Sequence, residues 1–222
     1  MISFSNRRNY EIPAPLVLDI DPLPSALPFD VNLLKLHCRI GETQTGGPWD
    51  AMLNDVYLRS AIEWAEGQMH RTIVARAHRW TLQDFPFNFQ EYYRIRLPRG
   101  KCQSIQNIKY SLNHQIVTLL GASNSPPMSD FQQDLTNEDG GFIMPAVAAT
   151  WPGTDIDVIS PVVVTFTAGY STFATIPMDI VTALFFYVSD AYELRGTTDI
   201  QSGSYADIRT NKLSPYLLNR WY

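Results

Sequence analysis

Histidine and cysteine are the side chains that most often bind metals in proteins, and this sequence contains few of them. The four histidines are His37, His70, His78 and His114, and the two cysteines are Cys38 and Cys102. A structural zinc site needs four converging ligands, usually supplied as close pairs, and these residues show no such spacing. The sequence therefore predicts no metal site and two free thiols.

Serine and carboxylate chemistry is only weakly indicated. The segment Gly169–Phe173 follows a strand but lacks the second glycine of a nucleophile elbow, so Ser171 is interpreted as a turn residue. Glu63 and Glu66 share a helix face, where solvated carboxylates are much more common than an acid/base pair. We predict no catalytic and no cofactor-binding residues. A small hydrolase using Ser171 or a carboxylate with His78 or His114 remains an alternative, which requires a cleft that brings these groups together.

A short basic run, Arg94, Arg96, Arg99 and Lys101, is the one feature that suggests nucleic acid. Arg94 and Arg96 project from the same face of a strand, whereas Tyr93 and Ile95 point the other way, so no stacking platform is evident on that face. The pattern favours a solvated strand face or salt bridges to an adjacent subunit. We therefore assign Arg94 and Arg96 to a subunit interface.

Composition indicates a globular chain with extensive contacts. The 222 residues are 45% apolar and only 18% charged, and the net charge is −5. A charged fraction below the usual quarter fits a surface covered by partners, although a large single core explains it nearly as well. The acidic balance is unlike the basic footprint of tight duplex binding. No apolar run reaches the length of a membrane span. Five tryptophans and eleven tyrosines leave a carbohydrate-binding module as a further alternative.

The stretch from Val162 to Gly196 is the strongest structural signal. It predicts a strand that ends at Gly169 and a helix of about five turns that begins at Pro177. The middle of this helix, Leu184–Val188, is apolar nearly all the way round, and such a helix needs cover on several sides. We expect some of that cover to come from other copies of the chain, through Phe185, Phe186 and Tyr187.

The order of elements predicts an α+β fold with an inserted antiparallel β module. The predicted units are an extended proline-rich arm (1–28), a helical core of three to four helices (29–71 and 176–196), the β module (72–170) and a C-terminal docking tail (197–222). Asp30 is a candidate N-cap, and a helix from about Asp50 to His70 carries one apolar stripe that includes Trp49, Met52 and Val56.

Within the β module, alternation places His78 and Trp80 on one strand face. A hairpin is predicted from Ile105–Tyr110 and Gln115–Leu120, which flank the turn Leu112-Asn113-His114. Short strands are predicted at Phe142–Met144 and Val162–Thr167, and a loop over 121–141.

The C-terminal residues form an apolar and aromatic cluster. We predict that they anchor the chain to a partner, since such side chains at a loose end suit a groove. Folding back onto the core of the same chain is an equal alternative. The residues assigned to docking are Tyr216, Leu217, Leu218, Arg220, Trp221 and Tyr222.

Several of these segments together resemble a known family. They are the helix core Ala61–Glu66, the strand Thr81–Pro86, the phrase Val164–Tyr170 followed by Ile176-Pro177, and the helix that ends at Tyr192–Gly196. In this order they are similar to the head–tail connector (adaptor) proteins of tailed bacteriophages and gene transfer agents. The resemblance covers about residues 30–196, and a weaker similarity extends over 213–220. The proline-rich arm departs from the family pattern.

The resemblance implies a structural protein without catalysis. Its members form a ring, usually a dodecamer, that docks beneath the portal at the neck of the virion. The ring joins head to tail and continues the channel for DNA ejection, without sequence-specific binding. The implied partners are sister copies, the portal protein and a stopper or tail-tube protein; the implied location is the virion neck, with assembly in the host cytoplasm. Another neck or tail protein, a stopper or a tail terminator, is the structural alternative.

Overall fold

Two hydrophobic clusters, one among the helices and one inside the sheets, organise the chain. The structure is a computed structural model, which describes residues 15–41, 47–86, 94–119, 130–194 and 205–218. The predicted α+β class is confirmed, since the described residues form both helices and two antiparallel sheets.

The first helices of the chain contribute many of the buried residues of the helical cluster. Helix α1 spans Val31–His37, and its N-cap Asp30 accepts a hydrogen bond from the backbone N–H of Asn32, as predicted. The next helix contains α2 (Pro48–Ala51), a π-helical segment (Met52–Leu58) and α3 (Arg59–Met69). It ends at His70, whose backbone is left-handed with φ of 55°.

The π-helical segment changes which side chains are buried. Leu53 and Leu58, five residues apart, are both fully buried, as the i→i+5 hydrogen bonds of a π-helix allow. Met52 and Val56, which the single-stripe prediction placed with the buried residues, are 42% and 48% exposed. That part of the prediction is wrong because it assumed one helical period throughout.

The C-terminal helices complete the helical cluster. Helix α4 spans Met178–Glu193, and α5 spans Tyr205–Leu213 and packs against it. Two ion pairs join them, Arg209 with Asp190 at 3.0 Å and Lys212 with Asp179 at 2.9 Å. Leu213 is 1% exposed within the helical cluster.

All strand pairs in both sheets are antiparallel. The strands are β1 (Pro15–Ile20), β2 (Arg76–Leu82), β3 (Ile95–Arg96), β4 (Cys102–Leu112), β5 (Gln115–Leu119), β6 (Phe131–Asp134), β7 (Phe142–Pro145) and β8 (Val162–Ala168). The five-stranded sheet has the order β1-β2-β8-β4-β5, and the three-stranded sheet has the order β3-β7-β6.

Most of the strand predictions are confirmed. His78, Trp80 and Leu82 of β2 are buried, and the hairpin turns at Asn113-His114 with φ of 52° and 57°, values typical of a type I′ turn. The predicted loop over 121–141 is wrong where it includes β6. This strand has one inward apolar side chain, Phe131, and three exposed polar residues, which is too little pattern to detect.

The proline-rich segment lies on the chain's own surface in its described part. Its residues Pro15–Ile20 are extended, as predicted, and form the edge strand β1 beside β2. Further along, Arg59 donates hydrogen bonds to the carbonyl oxygens of Pro24 and Ser25, both at 2.9 Å. Residues 1–14 of the predicted arm lie outside the described residues.

Candidate functional site

A crossing of two segments joins the helical cluster to the sheet. The segment after α3 meets the segment after β8, where the backbone N–H of Tyr170 donates to the carbonyl oxygen of Ile73 at 2.7 Å. Gly169 has φ of 108°, and a Cβ there would lie 2.7 Å from the carbonyl carbon of Val74. Glycine is therefore required where the two backbones touch. This contact explains the glycine in the motif Val164–Tyr170.

Glu66 anchors this crossing from inside α3. It is 6% exposed, and its carboxylate accepts the backbone N–H of Ile73 at 2.7 Å and pairs with Arg76. Burial raises the pKa of Glu66, while the charge of Arg76 acts in the opposite direction. The interpretation of Glu66 as a solvated helix carboxylate is wrong, since it holds the chain as it turns from helix to strand.

His78 is the buried partner of the same crossing. Its Nδ1 donates to the carbonyl oxygen of Arg76, its Nε2 lies 2.9 Å from the Thr72 hydroxyl, and its ring stacks on Phe166. Burial lowers the pKa of His78 to about 4. The neutral ring has a polar partner at each nitrogen, so it links the segment before β2 to the strands β2 and β8.

The hydrolase alternative needs Ser171 beside a histidine, and the structure gives each group another partner. The Ser171 hydroxyl lies 3.0 Å from the side-chain nitrogen of Gln103. His114 is exposed in the hairpin turn, 3.6 Å from Asp157. Among the residues that the structure describes, no group of three or more His, Cys, Asp or Glu side chains could hold a metal ion.

Two further sequence expectations concern the thiols and membranes. Cys38 and Cys102 are both free, as predicted, and both are buried; burial raises the pKa of Cys102 to about 11. Within the described ranges, no helix has the length and apolar character needed to cross a membrane.

Arg71 is the most buried charged group near the crossing, with 2% of its surface exposed. Its guanidinium donates to the carbonyl oxygen of Glu138 at 2.6 Å, the carboxylate of Asp139 at 2.6 Å and the carbonyl oxygen of Tyr216 at 3.2 Å. Its aliphatic stem packs on Gly100, where a Cβ would lie 2.7 Å from the Arg71 Cγ. Sequence reasoning missed this residue, because a single arginine after a helix has no pattern of its own.

The described part of the predicted docking tail runs along the end of α3. Tyr216 is half-buried against the helical cluster, and the backbone N–H of Leu218 donates to the carbonyl oxygen of Met69 at 3.0 Å. Leu217 is 51% exposed. The other assigned docking residues, Arg220, Trp221 and Tyr222, lie outside the described residues.

The aromatic flank of α4, Phe185–Tyr187, is half-buried. The rings of Phe185 and Phe186 each lie 5.6 Å from the ring of His37 on α1. Tyr187 stacks on Trp64 at 5.2 Å, and the guanidinium of Arg209 lies 5.5 Å from its ring. The chain thus provides part of the cover that this helix needs, and the rest of each ring stays accessible.

Arg94 and Arg96 are both exposed, and each guanidinium lies near the Phe142 ring, at 5.8 and 6.0 Å from its centre. The prediction of a face without an aromatic is wrong, because the ring comes from the adjacent strand β7. Asp134 of β6 pairs with Phe142 on its other side, so this face carries both signs of charge. Within the described residues, neither arginine forms an ion pair.

Comparison with known proteins finds solved structures of similar fold. No protein-family profile matches the sequence, and no curated protein matches it significantly. A chain in the neck of the empty gene transfer agent (GTA) particle, solved with C6 symmetry, superposes with a TM-score of 0.71 and 18% identity, covering 92% of this chain and 97% of that chain.

Two further solved structures have the same fold. A chain of the virion of the native GTA particle has a TM-score of 0.64 and 20% identity over 92% of this chain and 97% of that chain. A chain of the native GTA neck, solved with C12 symmetry, has a TM-score of 0.56 and 18% identity over 91% and 96%. The resemblance inferred from the motifs is thus confirmed for the fold.

Proposed function

We propose that this protein is a structural component of the neck of a phage-like particle: a head–tail connector of the adaptor type. The observation that carries the proposal is the fold match to a GTA neck chain, which covers 92% of this chain and 97% of the other. Because nearly all of both chains superpose, the likeness extends beyond one common motif to the whole arrangement of helices and sheets.

The proposed assembly is a ring of twelve copies. Related neck structures were solved with C6 and C12 symmetry, and a twelve-fold ring satisfies both because it also has six-fold symmetry. A closed ring has heterologous contacts, so each copy needs two different contact surfaces. The aromatic flank of α4, Phe185–Tyr187, and the face with Arg94 and Arg96 are the two proposed surfaces.

The proposed axial contacts are with the portal protein on one side and a stopper or tail-tube protein on the other. The C-terminal residues, with exposed Leu217 and the following Arg220, Trp221 and Tyr222, are the proposed portal anchor. DNA passes through the lumen of the ring without specific binding. The net charge of −5 supports this, since an acidic chain does not hold the phosphate backbone.

The role is mechanical rather than catalytic. His78 and Glu66 are held in buried contacts that stabilise the fold, and Ser171 lies beside Gln103. The helices of the described residues, with the 16-residue α4 among them, favour an adaptor over the β-dominated stoppers and terminators. The proposed location is the virion neck, reached after synthesis in the host cytoplasm.

The experiment is deletion of the gene in cells that make the particle, followed by complementation. Without the chain, we expect separate heads and tails in electron micrographs, and the full chain should restore joined particles. A chain that ends at Leu218 keeps the described contacts of Leu213 and Tyr216, so it should fold but restore few joined particles. Normal joined particles after deletion would contradict the proposed function.

A further inference from the structure

We propose that Arg71 is a positioning residue that fixes the described C-terminal residues, 213–218, relative to the β module, and thereby sets the position at which the proposed portal anchor begins. This inference rests on the proposed function for its docking role. Its structural part, a latch between two distant segments, stands on the contacts of Arg71 alone.

The latch joins three stretches of chain that are far apart in sequence. Arg71 directly follows the helix that ends at His70, Glu138 and Asp139 lie between β6 and β7, and Tyr216 lies after α5. A guanidinium donates in a fixed planar geometry and accepts nothing, so its three acceptors must keep their relative positions. If the Tyr216 carbonyl moves away, a buried N–H loses its acceptor, which is costly.

The turn that carries two of these acceptors is itself held on both sides. The Glu138 carboxylate pairs with Lys101 at 2.7 Å and lies 3.3 Å from the Tyr170 hydroxyl. Asp139 is 57% exposed as a side chain, although the guanidinium that it binds is almost fully buried. The turn can therefore be altered from its accessible side while the core around Arg71 is left intact.

The tail has few other attachments in its last described residues. Leu213 is buried in the helical cluster, and the Leu218 N–H bonds to Met69 at 3.0 Å. Between these two points, the Arg71 side chain donates a hydrogen bond to the carbonyl oxygen of Tyr216 at 3.2 Å. The same guanidinium binds the β module through Glu138 and Asp139. The latch thus fixes the position of residues 213–218, in which Leu217 is exposed.

The test compares Asp139→Ala with the matched control Lys101→Met. The first variant removes an acceptor of Arg71, whereas the second removes the exposed ion pair of the same turn and leaves all three acceptors. Hydrogen exchange of the C-terminal peptide and binding to the purified portal protein of the same particle are measured for both. We expect exchange about tenfold faster and portal binding about tenfold weaker in Asp139→Ala, and changes within about twofold in the control.

Equal exchange in the two variants would overturn the latch. Faster exchange with unchanged portal binding would overturn the positioning role. If the parent chain does not bind the portal protein, the docking role falls together with the proposed function, whereas a difference in exchange still supports the latch. A circular-dichroism melt of each variant checks that the exchange measured is that of folded protein.

Discussion

The crossing around Glu66 and the aromatic flank of α4 differ in how far their side chains are buried and in how they are held. At the crossing, charged groups are buried and each is held by specific partners from distant segments. On the flank, large apolar rings are half-buried and packed on their own chain by few contacts. The first arrangement fixes one geometry within the chain, and the second leaves apolar area exposed to solvent.

The largest expected effect is at the crossing. Glu66→Gln removes the charge that compensates Arg76, and breaking a buried ion pair typically costs about 3–5 kcal/mol of unfolding free energy. Urea unfolding measures this loss. The control is Glu63→Gln, an exposed carboxylate one turn earlier in α3, which should change stability by less than about 0.5 kcal/mol. Equal effects would show that the crossing is not a distinct site.

The second prediction separates stability from assembly on α4. Leu184→Ala empties a fully buried position and should cost about 2–5 kcal/mol. Phe186→Ala should cost only about 1–2 kcal/mol, since part of its ring is already in water. If the flank is an assembly surface, Phe186→Ala should nevertheless reduce ring formation more strongly, as measured by mass photometry. Intact rings in that variant would remove the flank from the interface.

The third prediction is a pH dependence that comes from His78. Its folded pKa of about 4 lies below the ordinary value of 6.5, so the folded state binds fewer protons between these values. The contribution of His78 to stability is therefore complete above pH 6.5 and is lost as the pH falls towards 4, by as much as about 3 kcal/mol. His78→Gln should flatten this part of the stability profile relative to the parent. Parallel profiles would show that His78 does not remain neutral.

The last two predicted effects come from two glycines and have opposite signs. Gly169→Ala places a side chain at φ of 108° and against the Val74 backbone, which should cost about 1–3 kcal/mol or more. Gly67→Ala lies in α3 with no atom within 4 Å of the new Cβ, and should stabilise the chain by about 0.5–1 kcal/mol. Thermal melts of both variants give the signs directly.

Local periodicity was sufficient to predict much of the fold. The alternation of His78 and Trp80, the Asn113-His114 turn and the Asp30 cap each depend on residues close in sequence, and all are confirmed. The connector resemblance, drawn from the order of such segments, is confirmed for the fold by a TM-score of 0.71.

The parts that sequence reasoning missed depend on contacts between distant residues. The burial of Glu66 follows from the return of the chain at Ile73, and Arg71 finds its acceptors at Glu138, Asp139 and Tyr216. The π-helical segment changes the period of an otherwise helical pattern, so Met52 and Val56 are exposed although a uniform period places them in the apolar stripe. None of these residues has a neighbour in sequence that signals its role.

The proposed assembly is tested most directly by a subnanometre cryo-electron microscopy map of the particle neck. We predict a ring of twelve copies of this fold directly beneath the portal, with the α4 flank against a neighbouring copy and the C-terminal residues against the portal protein. A neck without density for this chain, or the chain seen only as an isolated protomer elsewhere, would contradict it.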